Sequence, residues 1–214
     1  MSRKRIILAL FGLLFLLVAG FLLLLGHYFL QPAENSGQAQ IVLIDKGMSL
    51  REVATVLEEK GIIKNRTFFI LWARLTGYDN TIKFGEYNLS PAMSPAGIFN
   101  ILTKGIIVTH PITFPEGFTA EQIGDSLERN EYIKVEKSAF LSLVHDPDVM
   151  ERYCISGESL EGYLYPDTYH FSRMQSAESI VDAMISRFNE VISPYKERIG
   201  ETGMTLKEVV TIAS

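Results

Sequence analysis

Residues 47–63 read Gly47-Met48-Ser49-Leu50-Arg51-Glu52-Val53-Ala54-Thr55-Val56-Leu57-Glu58-Glu59-Lys60-Gly61-Ile62-Ile63, and they decide the fold class. Ser49 and Glu52 have the spacing of a capping box, in which the hydroxyl and the carboxylate each accept from the other's backbone N–H and start a helix. Leu50, Val53, Ala54 and Leu57 then fall on one helical face, and Gly61 closes it. Just before lies Ile41-Val42-Leu43-Ile44, a short β-prone run. The pattern returns seventy positions later: Gly117-Phe118-Thr119, Gln122-Ile123, Leu127-Glu128 and Ile133 repeat Gly47-Met48-Ser49, Glu52-Val53, Leu57-Glu58 and Ile63. Duplication and chance recurrence both fit, because α+β proteins reuse a strand, a turn glycine and a capping box. Either way the predicted class is α+β.

Between the two copies the periodicity predicts a helix after Asn65 with Phe68, Leu71, Trp72 and Leu75 inward and Gly77 as its stop. A strand follows over Lys83 to Leu89, then a helix opened by Ser94-Pro95 that buries Ile98, Ile101 and Leu102 and ends at Gly105. Ile106 to Phe114 is strand-like up to the turn Pro115-Glu116-Gly117, with Pro111 confining it to an edge or a bulge. Beyond the second copy, helical patterns cover Ser138 to Val144 and Pro147 to Tyr153. Ser176 caps a helix carrying Ile180, Ala183, Met184 and Phe188, and Thr205 with Glu208 opens a last one with Leu206, Val209 and Ile212. That last helix reaches Ser214 with no glycine, proline or basic turn to stop it, so the sequence reads as cut within an element.

On the N-terminal side, Ile6 to Leu30 contains no charged residue, and its 25 residues would rise roughly 38 Å as a helix, enough to span a bilayer. Arg3, Lys4 and Arg5 precede it and no comparable basic cluster follows, so the positive-inside bias leaves the N-terminus in the cytoplasm and exports the rest. The run is longer than a signal-peptide core and no clear small-x-small site follows; a lipid anchor would need a cysteine that is absent there. Gln31 to Gln40 is polar and proline-marked and reads as a tether.

Of the net charge of −5, the first five residues carry +3, leaving −8 on the remainder, which argues against nucleic-acid binding. The lone Cys154 excludes an internal disulfide and reads as a buried small hydrophobe. His27, His110, His145 and His170 are scattered without metal-site or nucleophile–base spacing, and no glycine loop suits a nucleotide. No metal or cofactor is expected.

The stretch Ser156-Gly157-Glu158-Ser159-Leu160-Glu161-Gly162-Tyr163-Leu164-Tyr165-Pro166-Asp167-Thr168-Tyr169 is the least ordinary in the chain. Aromatic rings stack on pyranose faces, carboxylates accept sugar hydroxyls, and a partly desolvated glutamate has the raised pKa of a general acid. The plainer reading is a tyrosine-rich loop over a core, with Asp167 bonding local amides, and pattern alone favours it.

Here the sequence resembles the endolytic murein transglycosylase, or YceG-like, family, whose signature of Leu-Glu-Gly, aromatic, Pro-Asp-Thr-aromatic stands as Leu160 to Tyr169. The resemblance extends to the N-terminal apolar helix, Gly47 to Ile63, Gly85-Glu86-Tyr87, Phe114 to Gly117 and Leu206 to Ser214. It implies an inner-membrane enzyme that cuts nascent peptidoglycan strands internally, leaves 1,6-anhydro-N-acetylmuramic acid ends and works beside wall synthases. It also implies a layout: a cytoplasmic tail 1–5, a transmembrane helix 6–30, a linker 31–40, a LysM-like glycan-binding module 41–105 and an incomplete catalytic domain 106–214.

In such enzymes one glutamate protonates the glycosidic oxygen and then, as base, activates the muramic 6-hydroxyl. The family places it just past the position of Ser214, so no catalytic residue is assigned within the chain and the expectation is an inactive fragment. Glu161, Tyr163, Tyr165, Asp167 and Tyr169 are expected to line the glycan cleft. The competing class is a membrane-anchored glycan-binding scaffold that positions strands without cutting them. A pyridoxal-phosphate lyase has no phosphate loop or Schiff-base lysine setting to support it.

Overall fold

The computed structural model describes residues 3–78 and 81–213; Met1 and Ser2 of the expected tail, and Ser214, lie outside them. The chain mixes helices with two small sheets and divides into two compact units, Met1–Val108 and Thr109–Ser214.

The first unit begins with helix α1, Arg3–Leu30, which is long and apolar enough to cross a membrane. Strands β1 (Gln40–Ile44) and β2 (Gly85–Leu89) pair antiparallel, Gln40 opposite Leu89 and Ile44 opposite Gly85. Helices α2 (Leu50–Glu59), α3 (Arg66–Leu75) and α4 (Pro95–Lys104) supply the rest of the core. Val42, Val53, Leu57, Tyr87, Ile98 and Leu102 are all but inaccessible there. The first capping box forms as expected: Glu52 N–H donates to Ser49 Oγ at 3.3 Å, and Ser49 N–H donates to Glu52 Oε2 at 2.7 Å.

Two expectations change here. The strand expected over Lys83 to Leu89 starts only at Gly85, whose φ of +145° and close approach to Ile107 a side chain could not share: a Cβ would stand 2.5 Å from Ile107 Cγ2. Helix α3 turns a different face inward, burying Phe69 and Ala73 while Leu75 is exposed. Its sequence is apolar nearly all round, so periodicity alone does not choose the face.

In the second unit β3 (His110–Thr113) pairs antiparallel with β4 (Thr168–Phe171). Around them lie α5 (Ala120–Arg129), α6 (Lys137–Val144), α7 (Pro147–Arg152) and α8 (Ala177–Ile192), followed by α9 (Lys196–Thr202) and α10 (Leu206–Ala213). Phe114, Ile123, Leu127, Phe140, Leu160, Ile180 and Met184 form its core. The strand expected over Ile106 to Phe114 is only four residues long: Val108 N–H is given to Glu86 O at 2.7 Å in the first unit, and Pro111 stands within the short strand opposite His170. Cys154 is exposed rather than buried: it occupies a left-handed turn with φ +56° after α7, its N–H given to Glu151 O at 2.9 Å. In α10 the Thr205–Glu208 box forms, with Glu208 N–H donating to Thr205 Oγ1 at 3.3 Å, but Ile212 stays exposed.

Candidate functional site

The stretch from Ser156 to Tyr169 follows α7 and runs into β4, and bonds from four directions fix it. Leu160 N–H donates to Val144 O at 2.9 Å, tying the loop to the end of α6, and the Leu160 side chain is fully buried. Glu161 Oε1 accepts the N–H of Ala120, the first residue of α5, at 3.2 Å. A carboxylate there meets both an unpaired amide and the positive end of the helix dipole. Gly162, at φ +84°, reverses the chain so that Tyr163 turns back into the interior.

At the far end of the loop, Phe114 N–H donates to Asp167 O at 3.0 Å, extending the β3–β4 pairing. Asp167 uses both carboxylate oxygens: Oδ1 accepts from Thr168 N–H at 2.7 Å and Oδ2 from Arg187 Nε at 2.8 Å. Arg187, on α8, also donates to Glu190 Oε2 at 3.1 Å, and its guanidinium lies 5.9 Å from the centre of the Tyr165 ring. One arginine therefore organises a carboxylate and an aromatic face of the signature.

The tyrosines divide. Tyr163 is buried, its ring edge-on to Phe188 at 5.2 Å, and burial pushes its hydroxyl pKa up. Tyr169 is half-buried, donates to Tyr165 O at 2.6 Å and stacks on Phe171 at 5.5 Å; burial, then the nearby Asp167 charge, raises its pKa. Tyr165 is half-buried against Arg187. The Thr168 N–H and then Arg187 hold the Asp167 carboxyl below the usual carboxylate range. At neutral pH Asp167 is an anion and Tyr163 and Tyr169 are neutral, so the loop sets a carboxylate acceptor beside aromatic rings.

The structure thus brings Tyr165, Asp167 and Tyr169 together around Arg187, holds Glu161 at the start of α5, and turns Tyr163 toward α8. A cavity of about 300 Å³ opens beside Tyr163, lined also by Tyr153, Ile155, Phe188, Asn189 and Lys207. A broader cleft of about 470 Å³ runs along α5 past Phe118, Gln122, Asp125 and Arg129. No cluster of metal-ligating side chains occurs among the described residues. His110 stacks on the Tyr132 ring at 4.2 Å, and His145 Nδ1 lies 2.9 Å from Leu141 O. Sequence reasoning missed Arg187, which stands twenty residues from its partner and shows no local motif.

Comparison with known proteins decides the lineage. The model of the YceG-like family matches residues 42–214. The chain belongs to the YceG-like family. Among YceG-like relatives it is similar to the endolytic murein transglycosylase of Streptococcus pneumoniae serotype 2 strain D39, 30% identical over 206 residues that cover 84% of this chain. The endolytic murein transglycosylase of Bacillus subtilis strain 168 is 27% identical over 213 residues, 92% of this chain. The chain spans 37% and 59% of the lengths of these two relatives. A 2.6 Å crystal structure of a YceG-like protein from Listeria monocytogenes matches with 28% identity and a TM-score of 0.45, covering 83% of this chain and 63% of that one.

Proposed function

We propose that this YceG-like chain is the membrane-anchored part of a lytic transglycosylase that cuts nascent peptidoglycan strands internally and leaves 1,6-anhydro-N-acetylmuramic acid ends. The observation that carries the reading is the family match across 42–214, with relatives named endolytic murein transglycosylases and the Leu160–Tyr169 signature intact. Residues 106–214 contribute the first part of the catalytic domain and 41–105 a LysM-like glycan-holding module. The N-terminus lies in the cytoplasm, α1 spans the inner membrane, and the bulk faces the wall, within reach of wall synthases.

Glu161 and Asp167 accept sugar hydroxyls, and Tyr165 and Tyr169 offer ring surface to the pyranose. Tyr163 acts from beneath by packing the loop. The residue that protonates the glycosidic oxygen and then activates the muramic 6-hydroxyl is the glutamate that the family resemblance expects past Ser214.

The second reading is a membrane-anchored glycan-binding scaffold that positions strands without cutting them, with Asp167, held by Thr168 and Arg187, as a fixed acceptor. Incubating a version extended past Ser214 with purified sacculi and analysing the products by mass spectrometry separates the two. An enzyme releases anhydro-ended muropeptides; a scaffold retains the sacculi and releases none.

A further inference from the structure

Helix α3 carries two apolar stripes. Phe69 and Ala73 are buried in the first unit's core, whereas Phe68, Leu71, Trp72 and Leu75, spaced i, i+3, i+4 and i+7, form a second stripe beside them. Phe68, Leu71 and Trp72 are half-buried, Leu75 is 58% exposed, and Tyr78 just beyond the helix is 49% exposed. The helix bears Arg66 and Arg74 and no acidic residue. Helix α2 in the same unit differs: its outward positions are Arg51, Glu52 and Glu59.

An apolar stripe centred on tryptophan, flanked by arginine and free of acids, is the chemistry of a helix lying in a membrane interface. What tells which surface covers this stripe is its place beside α1. Phe29 of α1 stacks on Trp72 with ring centres 4.4 Å apart and planes 20° apart, and Leu25 and Phe29 are both buried in this unit. Counting from Ile6, Phe29 stands roughly 35 Å along the helix, while the hydrocarbon layer is about 30 Å thick. Its contact with Trp72 therefore falls at headgroup depth.

The segment after α1 holds the same unit close. Glu34 N–H donates to Pro91 O at 3.0 Å, and Ser90 Oγ donates to Gly37 O at 2.7 Å. The 31–40 stretch is thus laid against the folded unit.

We propose that α3 is an interfacial helix whose Phe68–Leu71–Trp72–Leu75 stripe rests on the lipid surface beside the exit of α1. The inference rests on the reading that α1 spans the bilayer. It gives the first unit a second membrane attachment and keeps it at the surface where strands emerge.

The test uses the whole chain in phosphatidylcholine–phosphatidylglycerol vesicles. Trp72 is the single tryptophan, so its fluorescence reports α3 directly. Lipids carrying a quencher near the headgroup should dim it about twofold, with mid-chain quenchers weaker. Because Phe29 alone could bring Trp72 close, position 75 decides. In a Cys154→Ser background, a nitroxide on Leu75→Cys should collide with oxygen in preference to a water-soluble relaxant, and one on Glu59→Cys should do the reverse. Protein that floats with the vesicles yet shows Leu75→Cys as wet as Glu59→Cys overturns the proposal. Protein that does not float removes the membrane reading itself, and the inference with it.

Discussion

The two capped-helix segments, residues 47–63 and 117–133, each preceded by a strand, share a local frame and differ in what is attached to it. Both capping boxes form, and Leu57 and Leu127, seventy positions apart, are each fully buried. Yet the first helix ends on Gly61 at φ +69°, whereas the second ends at Asn130, whose Oδ1 accepts from Tyr132 and Ile133 N–H at 2.9 Å each. At its start, the second also receives the Glu161 carboxylate on Ala120 N–H. A frame that local sequence builds twice carries the candidate site only where a distant loop is bonded to it.

The largest effects should come from the shared frame. Leu57→Ala and Leu127→Ala should each cost about 2–5 kcal/mol, because both empty a packed core position. Hydrogen exchange should show the loss in α2 amides for the first and in α5 amides for the second. Unequal protection losses would mean that the equivalence of the two frames ends at hydrogen bonding.

Caps come next. Ser49→Ala should cost about 1 kcal/mol, and Thr119→Ala somewhat less, since Glu161 still holds an amide at the start of α5. A double-mutant cycle of Thr119→Ala with Glu161→Ala, read by urea denaturation, should lose more than the sum of the two. Strict additivity would show that the Thr119 cap and the Glu161 contact hold that helix start independently.

The smallest effect is a pH response that separates the regions by cause. Glu52 is held below the usual carboxylate range by the Ser49 hydroxyl and then its N–H, and Asp167 by the Thr168 N–H and then Arg187. With folded values depressed, both stabilise fully above the ordinary carboxylate range, about pH 4, and lose this as pH falls through their lower folded values. Arg187→Gln should move the Asp167 titration, followed by carboxyl carbon NMR, up toward the ordinary range and leave Glu52 unmoved. An unmoved Asp167 would mean that Thr168 alone holds it.

Sequence reasoning reads best where the signal is local. The boxes Ser49–Glu52, Thr119–Gln122 and Thr205–Glu208 are each a three-residue spacing, and all three form. It reads poorly where two solutions share one pattern. Helix α3 is apolar on two faces, and only the packing of α1 and the core distinguishes them. Cys154 is misread because residue type says nothing of a left-handed turn. The candidate site is half legible: the signature marks the loop, but Arg187 and the amide of Ala120, which fix its carboxylates, are brought to it by the fold alone.

The most direct test of the account is the release of anhydro-ended muropeptides from sacculi by the protein extended past Ser214, with and without Glu161→Ala. If the loop bonded to α5 is the glycan-facing surface, the substitution should lower product release severalfold while melting shifts only by the loss of one cap bond. Unchanged release from a folded Glu161→Ala protein would contradict it.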